Sequence, residues 1–163
     1  MKNVVFDLDQ TLVNSRVLSQ YRKQRDWQRV YRMIPKTSLY AGIQEVFGFI
    51  QENAIPVCIV STAPRPYIER MVAYHHIPCD AIVGYHDAKP IKPHPAPMYK
   101  ALSLLGIDKG DAISFGDRVI DIESSNRAGI TSIACLWDSD EPIAGTIADN
   151  TITSPLQIIP LLS

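Results

Sequence analysis

Two aspartates stand two positions apart, directly after an apolar run near the start of the chain. In "VVFDLDQTL" the apolar residues 4–6 precede Asp7, and Asp9 follows after one leucine. Residues i and i+2 of a strand lie on the same face, so both carboxylates are predicted to point into one site. Two carboxylates in such a place repel each other and lose hydration unless a cation lies between them. The pair therefore indicates a metal ion, a phosphate with its counter-ion, or both.

Three further clusters of polar residues each follow an apolar run. They are Ser61 and Thr62 in "IVSTAP", Lys92 in "KPIKPHPAP", and Asp117 with Asp121 in "SFGDRVID". A small hydroxyl beside open backbone N–H groups suits a phosphate oxygen, and a lysine can neutralise a dianion. A third carboxylate could complete an oxygen ligand set for a hard cation such as Mg²⁺. Two alternatives stay open, because Ser61 could cap the next helix and Asp121 could be an acid at a helix start.

These clusters must be positioned by elements that alternate between strand and helix. The predicted strands are "NVVFD", "IPVCIVS", "CDAIVG", "DAISFGD", "ITSIACLW" and a short "NTITS". The predicted helices are "GIQEVFGFIQENA", "PYIERMVAYHH", "APMYKALSLLG", "IDIESSNRAG" and a weak "PLQIIPLL". Such alternation with apolar strands predicts an α/β fold with a doubly wound parallel sheet and helices on both faces. Ligands of this fold lie at the carboxyl ends of the strands, where all the polar clusters would meet.

Composition restricts the class of protein but not its partners. The 163 residues fit a single domain, 46% of them are hydrophobic and 20% charged, and the net charge is −1. No signal peptide and no bilayer-spanning run is predicted, so we expect no membrane partner. The three cysteines are odd in number and far apart, which fits neither a disulfide framework nor a zinc site. We therefore expect reduced thiols and a cytoplasmic location.

Four motifs of the chain, in this order, resemble those of the haloacid dehalogenase superfamily of phosphohydrolases. They are "DLDQT", Ser61 in "IVSTAP", Lys92 in "KPHP", and "GDRVID". The segment "NRAGITSIA" also looks like the one that follows the last motif of the family, so the resemblance covers nearly the whole chain. One motif alone would be weak evidence, whereas four in order, each after a predicted strand, are specific. The resemblance implies a Rossmann-like core.

The resemblance also implies an activity, the magnesium-dependent hydrolysis of a phosphate monoester through an aspartyl-phosphate. Asp7 would be the nucleophile, and Asp9 would act first as general acid and then as general base. Lys92 would neutralise charge and orient Asp7. The cofactor would be Mg²⁺, held by the Asp7 side chain, the Asp9 backbone carbonyl and Asp117. Charge neutralisation and positioning supply most of the catalysis in phosphoryl transfer.

Four further residues would contact the substrate or support the loop. Thr11 would brace the loop that carries the two aspartates, and Ser61 with the Thr62 backbone N–H would hold the transferring phosphoryl group. Arg65, in "TAPRP", either contacts the substrate or only lies at a helix start. The chain departs from the family pattern at Gln10, where the family often has glycine.

The large cap domain of many family members is missing. Asp7 and Ser61 are 54 positions apart, and the predicted core helix from Gly42 takes part of that interval. Only residues 14–36 remain, and we predict a single domain, 1–163, in which 14–36 is a short basic helical insertion in place of a full cap. The substrate would be a phosphorylated small molecule or macromolecule, and a second subunit that closes over the site stays open.

The insertion carries seven of the 16 basic residues of the chain against one acid, Asp26. Trp27, Val30, Tyr31 and Ile34 follow helical spacing, which predicts one helix or two short ones with the aromatic side in the core. The basic residues would then be either a solvated face or a group that attracts an anionic substrate. We use the second interpretation as a hypothesis for Arg22, Arg25 and Arg29.

Three classes of protein other than a phosphatase also fit parts of the sequence. A receiver domain uses a similar sheet and a phosphorylated aspartate, but Asp9 would have no task there, and apolar residues 4–6 stand where receivers carry acids. A non-catalytic phosphate-binding domain also fits the motifs. A nucleic-acid-binding module would use the basic insertion, against which the net charge of −1 counts. A nucleotide or nucleic-acid phosphate stays open as a substrate.

Overall fold

The structure is a computed structural model that describes residues 1–163, and its centre is a parallel sheet of six strands. The sheet strands, in chain order, are β1 (Asn3–Phe6), β4 (Val57–Val60), β5 (Ala81–Val83), β6 (Ala112–Gly116), β7 (Thr131–Cys135) and β8 (Asn150–Ile152). Their order across the sheet is β5-β4-β1-β6-β7-β8. Chain connections leave β1 in opposite directions along the sheet, which is the doubly wound arrangement. The predicted fold class is confirmed.

Helices cover both faces of the sheet. The longer ones are α3 (Ile43–Glu52), α4 (Arg65–His75), α5 (Ala96–Leu105) and α6 (Val119–Ala128). The sequence places each of them within about two residues of its observed bounds. Gly106 and Gly129 end α5 and α6 with φ angles of 66° and 76°, a left-handed conformation that glycine adopts without strain.

The side chains of β1 alternate between two buried cores. Val4 and Phe6 face the larger core, which contains residues of α3 and α4, whereas Val5 faces the smaller core beside α5. Alternation is the rule for any strand, and apolar residues on both faces are expected where helices cover both. The burial of β1 on both sides fixes where its end lies, and the chain leaves the sheet there at Asp7.

Residues 14–36 fold as two short helices, one of the two predicted forms. They are α1 (Ser19–Lys23) and α2 (Trp27–Met33), flanked by 3₁₀ turns at Arg16–Leu18 and Ile34–Lys36. Trp27 and Tyr31 pack against the larger core, as predicted for the aromatic side. The Asp26 side chain caps α2 by accepting a hydrogen bond from the Arg29 backbone N–H at 3.3 Å.

Several short elements were not predicted. A two-stranded ribbon of β2 (Val13–Asn14) and β3 (Ser38–Leu39) closes the base of the insertion. A single turn of helix, α7 (Ala144–Ile147), precedes β8, and the weak C-terminal helix shortens to α8 (Ile158–Leu162) after a 3₁₀ turn. Elements of two to five residues have too little periodicity to be found in a sequence.

Two expectations from composition can be compared with the fold. All three cysteines are free thiols, and Cys58 and Cys135 are buried. No helix is long and apolar enough to cross a bilayer.

Candidate active site

The two aspartates of the first motif line one cavity of about 150 Å³ at the carboxyl end of the sheet. The Asp7 backbone N–H still bonds to the Phe115 carbonyl of β6 at 2.9 Å, but Asp9 already lies in the loop beyond the strand. Gln10 then turns the chain with a φ of 62°. Glycine adopts this conformation without strain, which is consistent with the family preference for glycine at this position.

Lys92 is buried beside Asp7 and Asp121, two residues that line the cavity. Its Nζ is 3.4 Å from Asp7 Oδ1, 2.7 Å from Asp121 Oδ1 and 2.8 Å from the Val60 carbonyl oxygen, which accepts a hydrogen bond from it. Burial lowers the pKa of this lysine, but the facing carboxylates of Asp121 and Asp7 raise it more, so the net pKa lies above the ordinary value. The ammonium group is therefore charged beside Asp7 throughout the ordinary pH range.

Asp121 organises the start of α6, and this buried residue serves as more than a helix-start acid. Its Oδ2 accepts hydrogen bonds from the backbone N–H groups of Asp117 and Arg118, at 3.2 and 3.0 Å. Its other oxygen accepts from Lys92. Gly116 makes this approach possible, because a Cβ added there would lie 2.5 Å from the Asp121 Cβ. Asp121 thus holds both the lysine and the turn that carries Asp117.

Asp7 and Asp117 line the cavity, and the buried Thr11 hydroxyl contacts both of them. The Thr11 hydroxyl donates to Asp117 Oδ1 at 3.2 Å and contacts Asp7 Oδ2 at 3.5 Å. Burial, followed by repulsion from Asp121, raises the pKa of Asp7 to about 6 despite the lowering by Lys92. Burial and the Asp7 charge raise the pKa of Asp117 well above its ordinary value. Two ionised carboxylates in this place repel each other unless a proton or a cation lies between them.

Asp9 is held by three donors that the sequence did not single out for this role. Ser15 Oγ and Tyr67 Oη each donate to Asp9 Oδ1 at 2.5 Å, and Arg22 Nη1 lies 3.0 Å from Oδ2. The Arg22 guanidinium also stacks over the Tyr67 ring, 4.7 Å from its centroid. Only Arg22 carried a signal, as part of the basic insertion. No sequence pattern distinguishes Ser15 from an ordinary loop residue or Tyr67 from an ordinary helix residue.

Ser61 and Thr62 line the cavity as expected after β4. Ser61 Oγ accepts a hydrogen bond from the Ala63 backbone N–H at 3.0 Å, so it supports the turn before α4 but does not cap that helix, whose N-cap is Pro64. Its own hydroxyl proton stays available to a phosphate oxygen. The turn and the phosphate-binding interpretations are therefore compatible.

Arg65 does not reach the cavity, contrary to the prediction that it binds substrate. Its Nη2 donates to Asp87 Oδ2 at 2.8 Å and to the Ile82 carbonyl oxygen at 2.7 Å. These contacts tie the start of α4 to the loop after β5. The alternative, a residue at a helix start, describes it better.

A wall of the cavity comes from the loop after β7, which carried no motif. Asp140 and Glu141 line the cavity, and Ser139 Oγ donates to the Asp117 carbonyl oxygen at 2.5 Å. Glu141 also pairs with Arg118, whose Nε lies 3.0 Å from Glu141 Oε2. This loop adds acidic charge to a site that is already acidic.

The basic residues of the insertion divide into different tasks. Arg22 enters the cavity, whereas Arg16 binds Asp138 and Asp140 at 3.0 Å each. Arg29 lies 3.6 Å from Asp26 and stacks on a tyrosine of α1. Arg25 forms no ion pair. Of the three arginines in the hypothesis, Arg22 alone lines the cavity, where it pairs with Asp9, and the anion-attracting role of all three stays a prediction.

The side chains that could hold a metal ion are Asp7, Asp117 and Asp121, whose ligand oxygens lie within 4.8 Å of one another. Both Asp121 oxygens already accept hydrogen bonds, which leaves Asp7 and Asp117 as the freer ligands. The Asp9 carboxylate is occupied by Ser15, Tyr67 and Arg22, so Asp9 could contribute only its backbone carbonyl. Mg²⁺ prefers oxygen ligands of which only a few are carboxylates, and this set of ligands meets that preference.

A doubly wound parallel sheet with these polar groups at the carboxyl ends of its strands defines the class as an α/β protein, and comparison with known proteins identifies the family. The model of the haloacid dehalogenase-like hydrolase family matches residues 18–135, which include Ser61, Lys92 and Asp117. The chain belongs to this family. The matched range begins after the loop of Asp7 and Asp9, so the first motif rests on the geometry described above.

Curated relatives include a phosphoglycolate phosphatase from Pectobacterium atrosepticum, 26% identical over 130 residues, and the pyrophosphatase PpaX from Bacillus cereus, 31% identical over 100 residues. The first match covers 77% of this chain and 56% of the relative, and the second 60% and 46%. This chain thus spans about half the length of the curated relatives it matches.

Solved structures show the same fold at low identity. CbbY from Rhodobacter sphaeroides, in complex with phosphate, superposes with a TM-score of 0.82 at 16% identity, over 97% of this chain and 96% of that one. A HAD phosphatase from Thermococcus onnurineus superposes with a TM-score of 0.77 at 18% identity, over 100% and 98%.

Proposed function

We propose that the protein is a magnesium-dependent phosphatase that hydrolyses a phosphate monoester through an aspartyl-phosphate on Asp7. One observation carries the proposal: Asp7, Asp9 and Asp117 line one cavity, and the buried Lys92 ammonium lies 3.4 Å from the Asp7 carboxylate. The names of the relatives, a phosphoglycolate phosphatase and a pyrophosphatase, support the same class of reaction.

In the first half of the reaction, Asp7 attacks phosphorus and the bond from phosphorus to the leaving oxygen breaks. Asp9 supplies the proton that the leaving oxygen needs, because its carboxyl lines the same cavity as Asp7. Lys92 orients the Asp7 oxygen at 3.4 Å and offsets charge on the phosphoryl group. Ser61 and the Thr62 backbone N–H donate to phosphoryl oxygens.

In the second half, a water molecule attacks the phosphorus of the aspartyl-phosphate. Asp9 accepts the proton of that water, the bond from phosphorus to the Asp7 oxygen breaks, and the carboxylate is regenerated. The three donors on Asp9 keep its carboxylate in place for both proton transfers. This second transfer is what separates a phosphatase from a stable phospho-acceptor.

The residues present fit a magnesium ion. Asp7 and Asp117 would hold it with the Asp9 backbone carbonyl; burial and neighbouring carboxylates raise the pKa of both side chains, and a cation bound there would offset that repulsion. When bound, the ion supplies positive charge that offsets the carboxylates and the phosphoryl oxygens. Asp121 is a positioning residue in this proposal, because it holds Lys92 and the Asp117 turn.

The same proposal includes three coarser expectations. The chain would act as one domain, 1–163, with residues 14–36 in place of a large cap. The three free thiols favour a cytoplasmic setting. The substrate would be a phosphorylated compound, and no second basic face favours a nucleic-acid-binding module.

Phosphate release from p-nitrophenyl phosphate tests the proposal directly. We expect many turnovers per protein molecule with Mg²⁺, none after chelation with EDTA, and none for Asp7→Asn, with Asp108→Asn as an exposed control. A single stoichiometric phosphorylation of Asp7 by acetyl phosphate, without turnover, would favour the receiver-like alternative. If the protein shows no turnover and no phosphorylation of Asp7, the result would favour a non-catalytic phosphate-binding domain.

A further inference from the structure

Two shallow hollows continue the catalytic cavity along the insertion. Their volumes are about 340 and 360 Å³, and Thr62 lines both of them as well as the catalytic cavity. Trp27 and Pro64 form the ridge that the two hollows share. A group bound to Ser61 and Thr62 could therefore extend into either hollow without leaving the surface of the protein.

The sign of the charge changes between the cavity and the hollows. Six acidic residues line the catalytic cavity: Asp7, Asp9, Asp117, Asp121, Asp140 and Glu141. Such a surface repels a free anion unless a cation is bound there. No acidic residue lines either hollow. Arg22 and Lys23 line the first hollow, and Arg25 and His86 line the second. A metal ion suits the inner cavity, and an anion suits the outer hollows.

Two of these cations are free to bind a ligand. Lys23 and Arg25 are exposed and form no ion pair, whereas Arg16 and Arg29 of the same insertion are paired with aspartates. Arg25 also has a φ of 56°, in the left-handed region that residues other than glycine seldom adopt. Such strain persists where the surrounding structure imposes it and is frequent at binding sites.

We propose that the two hollows form a leaving-group subsite for substrates whose leaving group carries a second anionic group, a phosphate or a carboxylate. The inference rests on the proposed phosphatase function and names its substrate class. The transferred phosphoryl group would occupy the acidic cavity, and the leaving oxygen would lie beside Asp9. The rest of the leaving group would pass Arg22, which lines both the cavity and the first hollow, and reach Lys23 or Arg25.

The size of the hollows favours a small molecule. Each volume lies within the range of about 300–1,000 Å³ that is usual for small-molecule sites. The ridge of Trp27 and Pro64 offers apolar contact to the carbon skeleton between the two anionic groups. Both phosphate and carboxylate pair with lysine and arginine, so the chemistry alone does not choose between them.

Two matched pairs of substrates test the proposal with wild-type protein and Mg²⁺. Phosphoglycolate against 2-hydroxyethyl phosphate adds a carboxylate close to the leaving oxygen. Fructose 1,6-bisphosphate against fructose 6-phosphate adds a phosphate further away. The quantity compared is the ratio of kcat/KM within each pair, for the wild type, for Lys23→Gln/Arg25→Gln, and for Arg32→Gln/Lys36→Gln, which removes two exposed cations of the insertion outside the hollows.

We expect the wild type to prefer, in at least one pair, the compound that carries the second anionic group. Lys23→Gln/Arg25→Gln should reduce that preference by about fivefold, which is the scale of two exposed ion pairs. The pair that shows the preference distinguishes carboxylate from phosphate. The control variant should keep the wild-type ratio. The proposal would be overturned if the wild type showed no preference in either pair. It would also be overturned if Lys23→Gln/Arg25→Gln kept the wild-type preference.

Binding keeps this failure apart from failure of the proposed function. In the Asp7→Asn background, which should not turn over, the affinity for the same four compounds is measured by isothermal titration calorimetry with Mg²⁺. Tighter binding of the anionic member, lost on adding Lys23→Gln/Arg25→Gln, supports the subsite even if the wild type hydrolyses nothing. Turnover of p-nitrophenyl phosphate together with equal binding within both pairs refutes the subsite alone.

Discussion

Arg22 Nη1 lies 3.0 Å from Asp9 Oδ2, so the short insertion reaches directly into the catalytic loop. The same guanidinium stacks on Tyr67, whose hydroxyl donates to the other Asp9 oxygen at 2.5 Å. The residue proposed to move protons is thus held between α1 of the insertion and α4 of the core. The insertion, proposed to stand in place of a large cap, thus contributes a group to the site itself.

Replacing Arg22 with glutamine should lower kcat/KM for p-nitrophenyl phosphate by about tenfold, the scale of one charged hydrogen bond that positions a catalytic group. Ser15 and Tyr67 would still hold one oxygen of Asp9, so the loss should stay partial. Steady-state kinetics with Arg32→Gln as the matched control check this. The same loss in both variants would show that only the general charge of the insertion matters.

Replacing Lys92 with methionine should abolish turnover and destabilise the fold. Its ammonium is buried between Asp121 and Asp7, at 2.7 and 3.4 Å, and breaking a buried pair typically costs about 3–5 kcal/mol. Lys89→Met, in the same proline-rich loop but exposed, should change the free energy of unfolding by less than about 0.5 kcal/mol. Urea unfolding of both variants measures the difference, and equal values would contradict a buried role for Lys92.

Gly116→Ala should destabilise the protein and reduce its activity. The new methyl group would lie 2.5 Å from the Asp121 Cβ, and relieving such overlap costs about 1–3 kcal/mol and moves the start of α6. Gly48 is the matched control, because a Cβ there meets nothing within 4 Å and the residue lies inside α3. Gly48→Ala should stabilise by about 0.5–1 kcal/mol. Thermal melts and phosphate release would show whether the two glycines differ in this way.

The metal-free protein should lose stability as pH rises, because of the buried carboxylates. Burial is the largest cause of the raised pKa values of Asp7, about 6 against 3.8 in the unfolded chain, and of Asp117. From about pH 4 upward, past pH 6, the folded state therefore binds more protons than the unfolded state. Under that condition the free energy of unfolding falls with increasing pH.

Asp117→Asn removes one of these carboxylates, and we expect it to raise the free energy of unfolding in EDTA at pH 8 but hardly at pH 4. Added Mg²⁺ should stabilise the wild type and not the variant, because a ligand of the folded state shifts the equilibrium toward it. Urea titrations at several pH values measure both effects. A variant that differs from the wild type equally at all pH values would refute this account, as would a similar change in the exposed control Asp108→Asn.

The fold was predictable because its signals are local. Apolar strands of four or five residues, amphipathic helices of about ten, and glycines at helix ends are each visible within a short window. The order of these elements restricts the sheet to few topologies, and the carboxyl ends of parallel strands must then lie together. For that reason Asp7, Ser61, Lys92 and Asp117 can be assigned to one site from the sequence.

The surroundings of those residues could not be read in the same way, because they depend on contacts between distant segments. Tyr67 donates to Asp9 from 58 positions away, and Ser139 donates to the backbone of Asp117 from a loop without any motif. Arg65 stood at a suitable place in the sequence but pairs with Asp87. An arginine side chain is long enough to reach several partners, and the packing of the chain determines which of them it contacts.

The sequence by itself thus determined the sheet, the strand ends and the types of the reacting groups, since these follow from periodicity and motif order. Only the tertiary structure decided that Asp121 serves Lys92 and the Asp117 turn, and that the basic insertion divides between Arg22 in the cavity, paired arginines, and free cations along two hollows. The physical reason is that charge and hydrogen-bonding capacity are properties of a residue, whereas partners are properties of the packed chain.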